Sequence, residues 1–343
     1  MLPEPRWLSP SIHPVYARLV CAELRRRGFS EAQAIADTRL DWHSLHHDNS
    51  FLSAEQIQRL IVHAVQLSAC PWLGFDVGRH TDVSAHGAAG YAAISAVDVG
   101  GAFTTIERYA ALRQDLAAFR VDTSTRPSLI LNEYLISAET RVYLLGHFTT
   151  AILRLLETIT GQPPRDLITL EWPLAQPDWS EAFSSVAVHV RFASPCLRIV
   201  LPEGYLNTPC LAADVEAHRQ ALRDCDNQLE RLARGGTLSE RIKRRLLECG
   251  RRFPALEEMA CAEHMAPRTL IRHLQAEGVR YQSLLDEVRS DQACWLLSQT
   301  SHSIESIAER LGYQDTSNFS RTFRRWLGVT PRQFRQQVTT RPG

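Results

Sequence analysis

The pentapeptide Leu-Glu-Glu-Met-Ala at 256–260 returns as Ile-Glu-Ser-Ile-Ala at 304–308, 48 residues further on, and the residues after each copy also correspond. Leu270, Arg272 and Leu274 correspond to Phe319, Arg321 and Phe323, and Leu284 corresponds to Phe334. A repeat of this length restricts the region to two copies of one small helical unit. Each copy reads as a short amphipathic helix, a turn and a second helix, which is the helix-turn-helix pattern. The first is expected over about 253–278 and the second over about 303–328.

Local signals place the two helices of each unit. In the second copy Ser303 is a helix cap, Ile304, Ile307 and Leu311 form one apolar stripe, and Gly312 can adopt the positive φ that ends the helix. The next helix puts Phe319, Phe323 and Trp326 on one face and Ser317, Ser320, Arg321 and Arg324 on the other. In the first copy Leu270 and Leu274 face inward, and Arg268, Ile271, Arg272 and Gln275 face out, with Pro267 suited to the first helical turn. A helix about 10–12 Å across fits the major groove of B-DNA, where arginine can donate two hydrogen bonds to guanine and an exposed isoleucine can meet a thymine methyl. Between the units, residues 281–300 read as one helix of about 17 residues, hence about 26 Å long. That could hold two reading helices near the ~34 Å repeat of one DNA turn.

The charge distribution agrees. Lys+Arg and Asp+Glu both total 38, but 17 basic and 12 acidic residues fall from Thr237 onward, leaving 21 and 26 before it. The neutral total conceals a basic C-terminal part, which suits an anionic partner such as double-stranded DNA.

Residues from about 238 to 336, with "IAERLGYQDTSNFSRTFRRWLGVTPRQFR" as the most specific stretch, resemble the DNA-binding domain of the AraC/XylS family of bacterial transcription regulators. The resemblance implies that Arg268, Ile271 and Arg272, and Thr316, Ser317, Ser320 and Arg321, lie where the family contacts DNA. The first unit departs from the pattern. Glu263-His264 stands where the family has an apolar residue and glycine, and Ala266 replaces a serine cap, a loss of about 1 kcal/mol.

The N-terminal region mixes both periodicities. Residues 12–36, 53–69 and "GGAFTTIERYAALRQDL" look helical, and "TTAILRLLETITG" is a helix stopped by Gly161. "SLILNEYLIS", "DLITLEW", "VAVHVRF" and "LRIVLP" read as strands. A last helix, "ADVEAHRQALRDCDNQLERLAR", ends at Gly235-Gly236, where the domain boundary is expected. The fold class is thus an α+β domain over 1–234 joined to an all-α domain over 235–343, two helix-turn-helix units linked by a long helix. "HGAAGYAAISAVDVGGAFTTIERYAAL" and "VHVRFASPCLRIVLPEGYLNTPCLAAD" resemble the arabinose-binding-like regulatory domain carried by a subset of the same family. That resemblance implies an activator with a small-molecule effector, a homodimer and contacts to RNA polymerase, and names neither ligand nor pocket residues.

Other constellations point nowhere catalytic. "DWHSLHHD" gathers His43, His46, His47, Asp41 and Asp48 without the i, i+4 spacing of a metal site, and reads as a polar connection. His80 and His86 near Gly78, Gly87 and Gly90 lack a phosphate-loop motif. Glu171-Trp172 and Asp178-Trp179 read as core and loop aromatics, and His189 as a surface or satisfied histidine. Eight scattered cysteines without a CxxC pair read as reduced thiols of a cytoplasmic protein. No catalytic residue, metal, cofactor or membrane segment is expected. The alternative reading is a metabolite-binding or enzymatic N-terminal domain whose helical C-terminal module serves protein–protein interaction.

Overall fold

A computed structural model of the chain describes residues 8–47, 51–124, 126–134, 136–187, 189–233, 237–249, 253–300 and 302–339. It comprises two compact units, one over Pro10–Leu232 and one from Ala233 onward, into whose first core Leu8 also packs. The Gly235-Gly236 pair lies outside the described residues, as does Asp48 of the histidine cluster.

The first unit is α+β. Its strands are β1 (Pro10–Ile12), β2 (Leu52–Ser53), β3 (Ala117–Asp122), β4 (Ser128–Glu133), β5 (Thr169–Glu171), β6 (His189–Arg191) and β7 (Leu197–Val200). Strands β1 and β2 pair antiparallel, and the remainder form a sheet of order β3-β4-β7-β5-β6 in which only β5 and β6 run parallel. Interior strand β4 buries Ser128, Leu129, Ile130 and Leu131 in succession, as a strand covered on both faces must.

Three expectations change. Residues 12–36 do not make one helix: Gly28, at φ +92°, separates Val15–Arg26 from Glu31–Ile35, and Ser30 and Gln33 build a capping box at the restart. Of "VAVHVRF", His189–Arg191 forms β6, Val186 and Ala187 are buried at the end of the 3-10 turn Ser180–Ser185, and Val188 lies outside the described residues. Strand β3 has no counterpart among the expected strands. The alternation of Phe119 and Val121 with Arg120 and Asp122 spans only four residues, at the lower limit of a strand signal.

The helix Ala138–Thr160 is the spine of this unit and ends at Gly161 in the left-handed conformation. It is long and apolar enough to cross a bilayer, but 72% of its apolar window is buried within the protein, as in a core helix. The short helix Leu73–Arg79 lies directly on it. A Cβ on Gly74 would overlap the Tyr143 carbonyl, and one on Gly78 would overlap Thr150 and the His147 carbonyl, so only glycine permits this approach. Phe75 between them meets Trp172 and Phe183 edge-on, and Trp172 is buried as a core aromatic.

Among the described residues the second unit has no strand. Its helices are Leu238–Glu248, Leu256–Ala262, Pro267–Ala276, Tyr281–Gln299, Ile304–Arg310, Thr316–Leu327 and Pro331–Thr339.

Candidate nucleic-acid interface

The two helix-turn-helix units have separate cores joined by one helix. Met259, Ala260, Leu270 and Leu274 fill the first core, and Ile307, Leu311, Phe319 and Phe323 fill the second. The linking helix Tyr281–Gln299 has 19 residues, hence a length of about 28 Å. Its first half gives Leu284, Leu285 and Val288 to one core and its second half gives Ala293, Cys294, Leu296 and Leu297 to the other. At the midpoint the Arg289 guanidinium lies 4.8 Å from the Phe253 ring centre and 5.4 Å from that of Tyr313, bridging the two units by cation–π contact.

In the second unit the expected caps are in place. Ser303 Oγ accepts from the Ser306 amide at 3.1 Å, Gly312 has φ +79°, and Asp315 Oδ1 accepts from the Asn318 amide at 2.6 Å to start the recognition helix. On that helix Phe319 and Phe323 are fully buried, whereas Ser317, Arg321 and Arg324 are exposed and Thr316 and Ser320 partly so. In the first unit Leu270 and Leu274 are buried and Arg268, Ile271, Arg272 and Gln275 are all exposed along one face. Ile271 is 39% exposed, an apolar side chain held in water beside arginines.

Arginine pairing divides the basic residues into two sets. Among the described residues none of Arg268, Arg272, Arg321 and Arg324 is held in an ion pair, and their cationic heads are open to solvent. Arg325, on the same helix as Arg321, instead reaches Asp286 of the linking helix at 3.6 Å. The adjacent arginines thus differ in surroundings: Arg325 lies within ion-pair reach of Asp286, while Arg321 and Arg324 face outward.

The unusual turn of the first unit also has a physical explanation. His264 adopts φ +54°, a conformation costing a non-glycine residue roughly 1–2 kcal/mol, and Ala266 makes no side-chain cap. Glu263 beside it is 5% exposed and accepts from Arg241 Nε at 2.9 Å and Arg245 Nε at 2.6 Å. Both arginines come from Leu238–Glu248, whose N-terminal amides, Leu238 and Ser239, donate to the Glu277 carboxylate at 3.0 and 2.9 Å. Two carboxylates therefore clamp the entry helix to the unit. The sequence carries the signal for this clamp: an acid at a usually apolar position, with arginines four residues apart on the preceding helix. Replacing Glu263 by alanine should lower stability by roughly 1.5–3 kcal/mol, the range for hydrogen bonds to charged groups, measured as a fall in the urea midpoint.

The sequence comparisons fit this geometry. Residues 28–210 match the family described as the arabinose-binding domain of AraC transcription regulators, N-terminal, and residues 259–337 match a helix-turn-helix domain. The chain is 28% identical over 336 residues to the ornithine utilization regulator of Pseudomonas aeruginosa, covering 97% of this chain and 99% of that one. It is 38% identical over 82 residues to the urease operon transcriptional activator of Escherichia coli, covering 24% of this chain and 28% of that one. The crystal structure of the transcriptional regulator CdpR from Pseudomonas aeruginosa is 25% identical, with 93% and 97% of the two chains covered and a TM-score of 0.46. The chain belongs to the AraC family of DNA-binding transcription regulators, in the group that carries the arabinose-binding-type N-terminal domain.

Proposed function

We propose that residues 1–234 bind a small-molecule effector and pair two copies of the chain, and that effector binding changes how residues 235–343 engage promoter DNA and RNA polymerase. A ligand with different affinity for two conformations shifts their populations, and the shift is reciprocal with DNA affinity. The regulator acts as an activator in the cytoplasm and catalyses no reaction. The name of the similar Escherichia coli activator supports the sign of regulation, and its likeness lies in a stretch of 82 residues.

Arg268, Ile271, Arg272 and Gln275 contact DNA in one groove and Thr316, Ser317, Ser320, Arg321 and Arg324 in the next. The observation that carries it is the equivalent placement of Arg272 and Arg321, both exposed on helices whose opposite faces are buried. Arg321 reads a base, whereas Arg324 is assigned to phosphate. In a binding assay on randomised operator variants, Arg321→Ala should flatten preference at one base pair at a loss of about 1–3 kcal/mol. Arg324→Ala should weaken all variants alike. A uniform loss from Arg321→Ala, with the preference intact, would remove the base-reading role.

A further inference from the structure

Within the N-terminal unit a cavity of about 70 Å³ lies between Val99–Tyr109, Ala138–Thr160 and the Gly87–Ile94 helix. By the volume one water needs, it holds roughly six heavy atoms. Its body is apolar, with Ala93, Ile106, Ile152 and Leu155 among the walls. The polar groups at its edge are few, and most are already engaged. Gln114 is spent on both the amide and the carbonyl of Ala117, and the Tyr109 hydroxyl donates to Asp226 at 2.7 Å. Tyr16 and His86 satisfy each other at 3.2 Å.

Two groups remain. The half-buried Arg113 guanidinium lies against Gly87, where any Cβ would overlap it, and among the described residues no carboxylate pairs with it. The groups whose charge bears on it are Tyr16, Arg18 and Cys225, none of them an anion at neutral pH. Burial keeps the Tyr16 phenol protonated and pushes the Cys225 thiol up to about 11. The second group is His147, 95% buried from solvent, whose Nδ1 has no hydrogen-bond partner among the described residues. Burial first, and then the charge of Arg113, hold His86 down to about 4, and burial holds His147 down to about 3, so both rings are neutral. A half-buried cation without an anion and a buried ring nitrogen without a partner are both unfavourable. A ligand supplying the missing partners relieves both.

We propose that this cavity is the effector site and that it takes a small monocarboxylic acid with an apolar body, the carboxylate against Arg113, a polar atom on His147 Nδ1 and the hydrocarbon between Ala93, Ile152 and Leu155. The proposal rests on the reading of the N-terminal unit as effector-sensing and specifies its ligand class. Guanidinium–carboxylate pairing supplies the charge selectivity, and the cavity volume suits an acid of about four carbons.

The test uses the full-length protein and four probes of similar size: butyrate, pentanoate, butanamide and butylamine. Calorimetric titration and thermal unfolding should show that the two acids bind and raise the midpoint, while the amide and the amine do not. Arg113→Met should weaken acid binding at least tenfold and raise the ligand-free midpoint, since it removes a half-buried charge that no carboxylate pairs among the described residues. A merely structural arginine would lower it. Ala93→Val, which narrows the cavity, should move the preference from pentanoate toward acetate and propionate, a gain that misfolding cannot mimic. Equal binding of the amide or amine, undiminished acid binding by Arg113→Met, or no binding by any acid would overturn the assignment. Operator affinity is measured separately with and without acid. Acid that binds and leaves DNA affinity unchanged would retain a carboxylate site and overturn its identity as the effector site, whereas DNA affinity that responds only to a non-carboxylate would overturn the ligand class alone.

Discussion

Phe323→Ala should destabilise the second helix-turn-helix by about 3–5 kcal/mol and abolish specific DNA binding at 37 °C. The ring is fully buried, 5.7 Å centre to centre from Phe319 and 5.6 Å from Phe334, in a core that also contains Ile307 and Leu311. A small core has few other contacts to absorb the void, and a domain's whole stability is only about 5–15 kcal/mol. The neighbouring Arg324→Ala, exposed and unpaired among the described residues, should stay within about 0.5 kcal/mol of the parent protein. Urea unfolding and limited proteolysis of both variants give the comparison. If Phe323→Ala kept its midpoint while Arg324→Ala lost it, the two faces of the recognition helix would be reversed.

That contrast is legible in the sequence because a short amphipathic helix with clear caps leaves only one apolar stripe. Ser303, Gly312, Phe319 and Phe323 each take the part their spacing implies, and the linking helix differs from expectation by only two residues. The N-terminal unit is less legible. Strand β3 alternates over only four residues, Phe119 to Asp122, and β6 pairs through only three, His189 to Arg191. The cavity is not legible at all. Arg113 follows a 3-10 turn and His147 sits in the middle of an apolar helix, 34 positions further along the chain, and only packing brings them to one wall. Local patterns report which face of an element is buried, whereas a site assembled from separate elements depends on distances that no single element encodes. Conspicuous clustering can mislead for the same reason: His43, His46 and His47 adjoin in sequence, while the histidines that share the cavity edge, His86 and His147, do not.

Specific binding to DNA should fall about 10³-fold between 50 and 200 mM monovalent salt. The expected log–log slope is about −5, corresponding to roughly six neutralised phosphates at about 0.9 counterion each. The supply of charge supports that count. Arg268, Arg272, Arg321 and Arg324 are exposed and outside any ion pair among the described residues, and Arg280 and Arg332 are exposed near the ends of the two units. Lys243 is balanced by Glu287, and Arg241 and Arg245 share Glu263, so these three cations bring less free charge to DNA than three unpaired arginines would. Arg324→Gln should therefore lower the slope by about 1, because it removes one released counterion. Lys243→Gln, whose charge is already balanced 2.7 Å away, should leave the slope nearly unchanged. Competition titrations across a salt series separate the two. Equal slope changes from both variants would mean that net charge alone governs association and that the outward face of the recognition helices has no privileged approach to the phosphates. A slope near −1 for the parent protein would mean that one reading helix, at most, reaches the duplex.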